Sequence, residues 1–120
     1  MIWVAIAVAG GLGAVARYLL DRWVSARVAS ALPWGTWVVN VTGSFLAGVV
    51  AGLSTSGLVD VEMQTVVAGG FLGAYTTFST AMFQAALEFD GEQPTAGLVN
   101  LVGTLVAAVL AASFGVLLVR

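Results

Sequence analysis

The chain contains no cysteine and no histidine. Without thiols it has neither a disulfide framework nor a thiolate nucleophile, and without imidazole it lacks the commonest metal ligand and neutral-pH acid–base group. Charge is scarce too: Lys+Arg number 4 and Asp+Glu 6 in 120 residues, for a net charge of −2. Nucleic acid finds no basic tract here. What fills the chain instead is apolar, 60% of it, with a mean hydropathy of +1.04. A soluble domain of this length needs far more polar surface, so the composition points to lipid as the solvent.

A helix crossing the hydrocarbon core needs about 20 mostly apolar residues. Four segments qualify, at about 2–20, 33–53, 61–87 and 94–119, within a single transmembrane domain over residues 1–120. Asp21, Arg22 and Arg27 close the first, and Pro33 suits the first turn of the second. The Ser54-Thr55-Ser56-Gly57 turn follows the second segment. Most charge falls in the connections: Asp60 and Glu62, then Glu88, Asp90 and Glu92. Met1 to Tyr18 has no charged n-region and no small-x-small cleavage site, so a retained span is expected rather than a leader. The expected fold is all-α and integral to the membrane, with four spanning helices.

The third segment is longer than a bilayer requires. Its middle, Gly69-Gly70-Phe71-Leu72-Gly73-Ala74-Tyr75-Thr76-Thr77, sets three glycines beside two β-branched threonines. Two readings stand: a glycine-rich packing face, or a helix broken near its middle whose free carbonyls face a cation. Orientation is weakly specified. With four spans, Arg22 and Arg27 lie on one side, Arg17 nearby, and Arg120 on the other. So small a bias fits insertion in both orientations.

Polar side chains inside the spans are few and informative. Arg17, one turn from the end of its span, either snorkels to the headgroups or draws anions to a pore mouth. Asn40 shares a helix face with Thr36 and Ser44, and Gly48 and Gly52 extend that face as a close-packing stripe. A carboxamide at mid-bilayer needs a partner or water, and its N–H can donate to an anion. Thr76-Thr77-Phe78-Ser79-Thr80 gathers hydroxyls around a ring whose positive edge can also face an anion; alternatively the hydroxyls bond back to the preceding turn. In the fourth span Asn100 and Thr104 share a face, and Ser113 is isolated.

The span interiors contain no Asp or Glu. A proton-coupled exporter of similar size relies on a membrane-embedded carboxylate, so that mechanism is disfavoured. No nucleophile–base pair, metal cluster or phosphate loop occurs, and a hydroxyl without a base is inert; an enzyme is not expected.

Three segments resemble a known family. Gly10-Gly11-Leu12-Gly13-Ala14-Val15-Ala16-Arg17-Tyr18, Gly35-Thr36-Trp37-Val38-Val39-Asn40-Val41-Thr42-Gly43-Ser44-Phe45 and Gly70-Phe71-Leu72-Gly73-Ala74-Tyr75-Thr76-Thr77-Phe78-Ser79-Thr80 are similar, in order and spacing, to the signatures of the Fluc/CrcB fluoride channels. The resemblance implies an antiparallel, dual-topology dimer of four-helix subunits that exports fluoride passively through the cell inner or plasma membrane and confers fluoride resistance. It implies that Asn40, Phe78, Ser79, Thr80 and Thr104 line the fluoride pathway and that Arg17 faces the vestibule. The carbonyls of Gly73 and Thr76 would hold a structural Na⁺ at the dimer interface. The partner is then membrane lipid and either an identical chain or a second family subunit. One position departs from the pattern: Ala81 stands where a second Phe is usual. Phe83 lies roughly 200° further round the helix and cannot simply replace it.

Overall fold

A computed structural model of the chain describes residues 1–28, 34–76 and 94–119. Among these residues there is helix and turn but no strand. Helix α1 covers Ile2–Ser25 and α2 covers Trp34–Thr55. Helix α3 is a composite: α-helical over Val61–Gln64, π-helical over Thr65–Leu72, and α-helical again over Gly73–Tyr75. Helix α4 covers Pro94–Val119, opening on a proline whose missing N–H costs nothing in a first turn.

Among the described residues three helices are long and apolar enough to cross a membrane: Ile2–Ser25, Trp34–Thr55 and Gly97–Val119. At 1.5 Å per residue, α1 measures about 36 Å against a hydrocarbon core of about 30 Å. The chain is therefore a multi-pass membrane protein.

Lipid gives no hydrophobic reason for one apolar helix to prefer another, so close approach has to come from small residues. Two helix pairs show this. A Cβ on Gly13 of α1 would overlap the Phe71 carbonyl of α3, and one on Gly70 would come within 3.0 Å of the Ile6 carbonyl. On the other side of the bundle, Gly48 of α2 lies against the Ala112 carbonyl of α4, and Gly115 of α4 against the Phe45 carbonyl. Gly52 continues that contact, since a Cβ there would lie 2.5 Å from Val119. The small-residue stripe expected on α2 is thus a backbone-to-backbone seam. Between the two pairs sits a small core of Val39, Leu72 and Tyr75, with Ala16, Leu20, Ala47, Val67 and Phe71 packed around it.

The ends are tied by local chemistry. Gly57 takes a φ of 81°, and Leu58 N–H donates to the Leu53 carbonyl at 2.9 Å while Gly57 N–H donates to Ser54 at 3.1 Å. This paired closure needs a left-handed residue, which glycine supplies without strain. Asp60 then caps α3, accepting from Met63 N–H at 2.8 Å. At the opposite end Arg27 lies 4.1 Å over the Trp23 ring and Arg22 lies 5.7 Å over Tyr18. Cations stacked on exposed aromatics suit the headgroup level.

Candidate functional site

Helix α3 stops where the polar cluster begins. Of the two readings of the Gly69–Thr77 stretch, packing face and break, each holds for a part of it: Gly69, Gly70 and Gly73 all lie within helical geometry. The departure comes at Thr76, whose backbone is extended at φ −78° and ψ 155°. A backbone at membrane depth must keep its hydrogen bonds, and wide π turns absorb the flexible glycines without losing any. The last rungs run from Thr76 N–H and Thr76 Oγ1 to the Leu72 carbonyl, both at 3.0 Å. Gly73 thus lies in the last helical turn before Thr76, and Thr76 is the first residue beyond it.

Helix α2 holds that end in place. Thr42 Oγ1 donates to the Val38 carbonyl at 2.7 Å and meets Tyr75 Oη at 2.9 Å. Gly43 completes the fit: a Cβ there would reach Tyr75 at 3.0 Å and overlap the Thr76 methyl. Phe71 stacks on Tyr75 with ring centroids 5.8 Å apart. Sequence reasoning assigned Thr42, Gly43 and Tyr75 no role, although all three lie inside the quoted signatures.

The buried polar side chains gather on α2 and α4. Thr36, Asn40, Asn100 and Thr104 are all at most 9% exposed. Asn40 lies one turn from Gly43, which puts it about 4.5 Å along the axis from the level of the α3 end. Across the seam, Trp37 Nε1 donates to Asn100 Oδ1 at 2.7 Å, and Thr104 Oγ1 approaches the same oxygen at 3.3 Å. Asn40 and Thr104 are therefore both buried in the bundle.

Arg17 is half-buried, and its Nε is enclosed without a hydrogen-bond partner. Its neighbours Ala16 and Leu20 pack on the Leu72–Tyr75 core, so Arg17 leaves α1 near the level of the α3 end. Phe78, Ser79, Thr80 and Ala81 lie outside the described residues. Ser113 is exposed on α4. Among the described residues no cluster of His, Cys, Asp or Glu could hold a metal.

The arrangement offers uncharged hydrogen-bond donors inside an apolar bundle, with the half-buried cation of Arg17 towards the end that also carries Arg22 and Arg27. Comparison with known proteins gives it a setting. The family described as "CrcB-like protein, Camphor Resistance (CrcB)" matches residues 4–116. The fluoride-specific ion channel FluC 1 of Leifsonia xyli subsp. xyli is 41% identical over 115 residues, covering 96% of this chain and 84% of its own. FluC 2 of Cutibacterium acnes is 40% identical over 119 residues, covering 98% and 95%. FluC 1 of Symbiobacterium thermophilum is 50% identical over 82 residues, covering 67% and 66%.

Proposed function

The chain belongs to the CrcB family, and from that premise we propose that it is a passive fluoride-selective channel that lets fluoride leave the cytoplasm and so confers fluoride resistance. The observation that carries this reading is the set of buried, uncharged donors on α2 and α4, in spans free of Asp and Glu. Fluoride is small and holds its water tightly, so a selective path must replace that water with several donors at close range. A fixed cation deep in the path would trap the ion, whereas amides and hydroxyls let it leave. Asn40 and Thr104 supply such donors on α2 and α4, and Phe78, Ser79 and Thr80 supply a ring edge and hydroxyls beyond Thr76. Arg17, near one end of the bundle, concentrates anions at the mouth without occupying the throat.

The working unit in this reading is a dual-topology dimer of four-helix subunits in the cell inner or plasma membrane, formed with an identical chain or with a second family member. A structural Na⁺ at the dimer interface fits the residues present: the Gly73 and Thr76 carbonyls are hard oxygen donors at the negative end of a helix, where the helical ladder stops at Thr76. Two carbonyls do not complete a shell, and a second copy would bring the same pair. Such an ion would fix the two subunits against each other.

The test is fluoride efflux from liposomes containing only this purified chain, read with a fluoride electrode beside a chloride control. Fluoride loss with chloride retained is the expected result and makes the homodimer sufficient. Should efflux appear only after a second family subunit is added, the partner is heterologous. No efflux with either would remove the reading.

A further inference from the structure

Arg17 and Asp21 stand four residues apart on α1, the spacing at which opposite charges on a helix meet. Both are half-buried, yet no hydrogen bond or ion pair joins them among the described residues. The Arg17 Nε is enclosed and has no partner. The Asp21 carboxylate has turned across to α2 instead. A Cβ on Gly35, the second residue of α2, would overlap Asp21 Oδ1 and come within 3.0 Å of its Cγ. We propose that Gly35 is a positioning residue: the notch left by its missing side chain holds the Asp21 carboxylate away from Arg17, and so keeps the Arg17 charge free for anions. This rests on the channel reading above, in which Arg17 draws fluoride to the mouth.

The preference of the carboxylate for α2 has a physical cause. Asp21 lies in the last turns of α1, the negative end of its own helix, whereas Gly35 lies in the first turn of α2, the positive end of the next. Ser25 Oγ donates to the same Oδ1 at 3.4 Å, from one turn further away from Arg17. Arg22 does not compete for the carboxylate. Consecutive residues do not face each other on a helix, and its guanidinium donates to Tyr18 Oη at 3.0 Å.

The consequence is electrostatic. A carboxylate folded back onto Arg17 would cancel its field within one turn, and the mouth would lose its attraction for anions. Two opposite charges on one helix face are thus kept apart by an absent side chain on the neighbouring helix.

The four basic residues are all arginines, Arg17, Arg22, Arg27 and Arg120. Labelling the full chain with ¹⁵N-arginine in detergent micelles therefore gives four Nε signals, and Arg17→Lys assigns one. In Gly35→Ala the displaced carboxylate should pair with Arg17 and move its Nε signal downfield. Fluoride efflux from liposomes should fall about threefold or more at roughly 10 mM salt, and by less than about 1.5-fold at roughly 1 M, where charge is screened. A merely structural loss would be the same at both. Adding Asp21→Asn to Gly35→Ala should return the signal to its place and efflux to within about twofold of the parent. Asp21→Asn alone should leave the Arg17 signal where it is. Asp21→Glu puts the same question without touching α2, because the longer carboxylate overruns the notch and reaches back one turn. Its Arg17 signal should move as in Gly35→Ala, and it decides the matter where Gly35→Ala does not fold. A stationary signal in Asp21→Glu and in folded Gly35→Ala, or one that moves in Asp21→Asn alone, would overturn the proposal. The expected signal changes in a chain that passes no fluoride would sink the channel reading and leave the separation of the two charges. Efflux with none of those changes would do the reverse.

Discussion

Thr42 already gives its proton to the Val38 carbonyl, so in the 2.9 Å contact between the two hydroxyls Tyr75 is the donor. This clasp joins α2 to the last helical residue before Thr76 turns away. Tyr75→Phe keeps the stack on Phe71 and deletes only the hydroxyl, a loss of about 1 kcal/mol. Thermal unfolding in detergent should therefore shift down by a few degrees, while fluoride efflux should fall severalfold because the α3 end is less well fixed. Equal efflux would show that the clasp merely stabilises. A second comparison separates path from packing on α2. Asn40 is buried at 6% exposure, whereas Ser44 is half-buried beside the glycine seam. Asn40→Ala is expected to lower efflux by roughly tenfold or more, and Ser44→Ala by less than about twofold. Equal losses would undo that split. At this scale the sequence showed that Asn40 is costly to bury and so worth attention, whereas Thr104 was singled out by the family resemblance. It gave no hint of the Trp37–Asn100 bond, because partners 63 residues apart on different helices share no local pattern.

Helices explain where the sequence reading was incomplete. Glycine-rich stretches in lipid carry two opposite signals, packing and unwinding, and α3 uses them in sequence. Gly70 faces Ile6 and Ala9 across the α1 seam, and the π turns around it keep the ladder closed as far as Leu72. Only at Thr76 does the backbone leave the helix. A motif marks the region but not the residue, because the choice depends on what lies across from each glycine. That dependence can be tested on α1, where two glycines two residues apart have different surroundings. A Cβ on Gly11 meets nothing within 4 Å, whereas one on Gly13 overlaps the Phe71 carbonyl. Gly11→Ala should melt within about 0.5 kcal/mol of the parent, or slightly higher from helix propensity. Gly13→Ala pushes two backbones apart and should cost about 2 kcal/mol or more, or yield no folded protein by size exclusion. Similar behaviour of the two variants would contradict the close α1–α3 crossing.

The whole chain presents apolar surface outward on two sides. Along α1, Val4, Val8, Leu12, Val15 and Leu19 are each 56–59% exposed, and along α4, Leu98, Leu105, Leu110, Leu117 and Leu118 are each 55–64% exposed. Lipid accepts such faces, and so does a second subunit, which is why the length and all-helical class were legible from composition while the assembly was not. Charge at the two ends does little to choose an orientation. Arg22 and Arg27 mark the end where α1 stops, Asp60 and Glu62 mark the other, and acidic residues contribute little to topology. Absence of cysteine makes this testable, since Ser25→Cys and Ser56→Cys each create a single thiol, at opposite ends of the described bundle and both at exposed positions. In intact cells, a membrane-impermeant maleimide should label about half of the chains in either variant, as two arginines on a short connection leave insertion close to balanced. Complete labelling of one variant and none of the other would establish a single orientation, and an antiparallel pair would then require a second subunit inserted the opposite way.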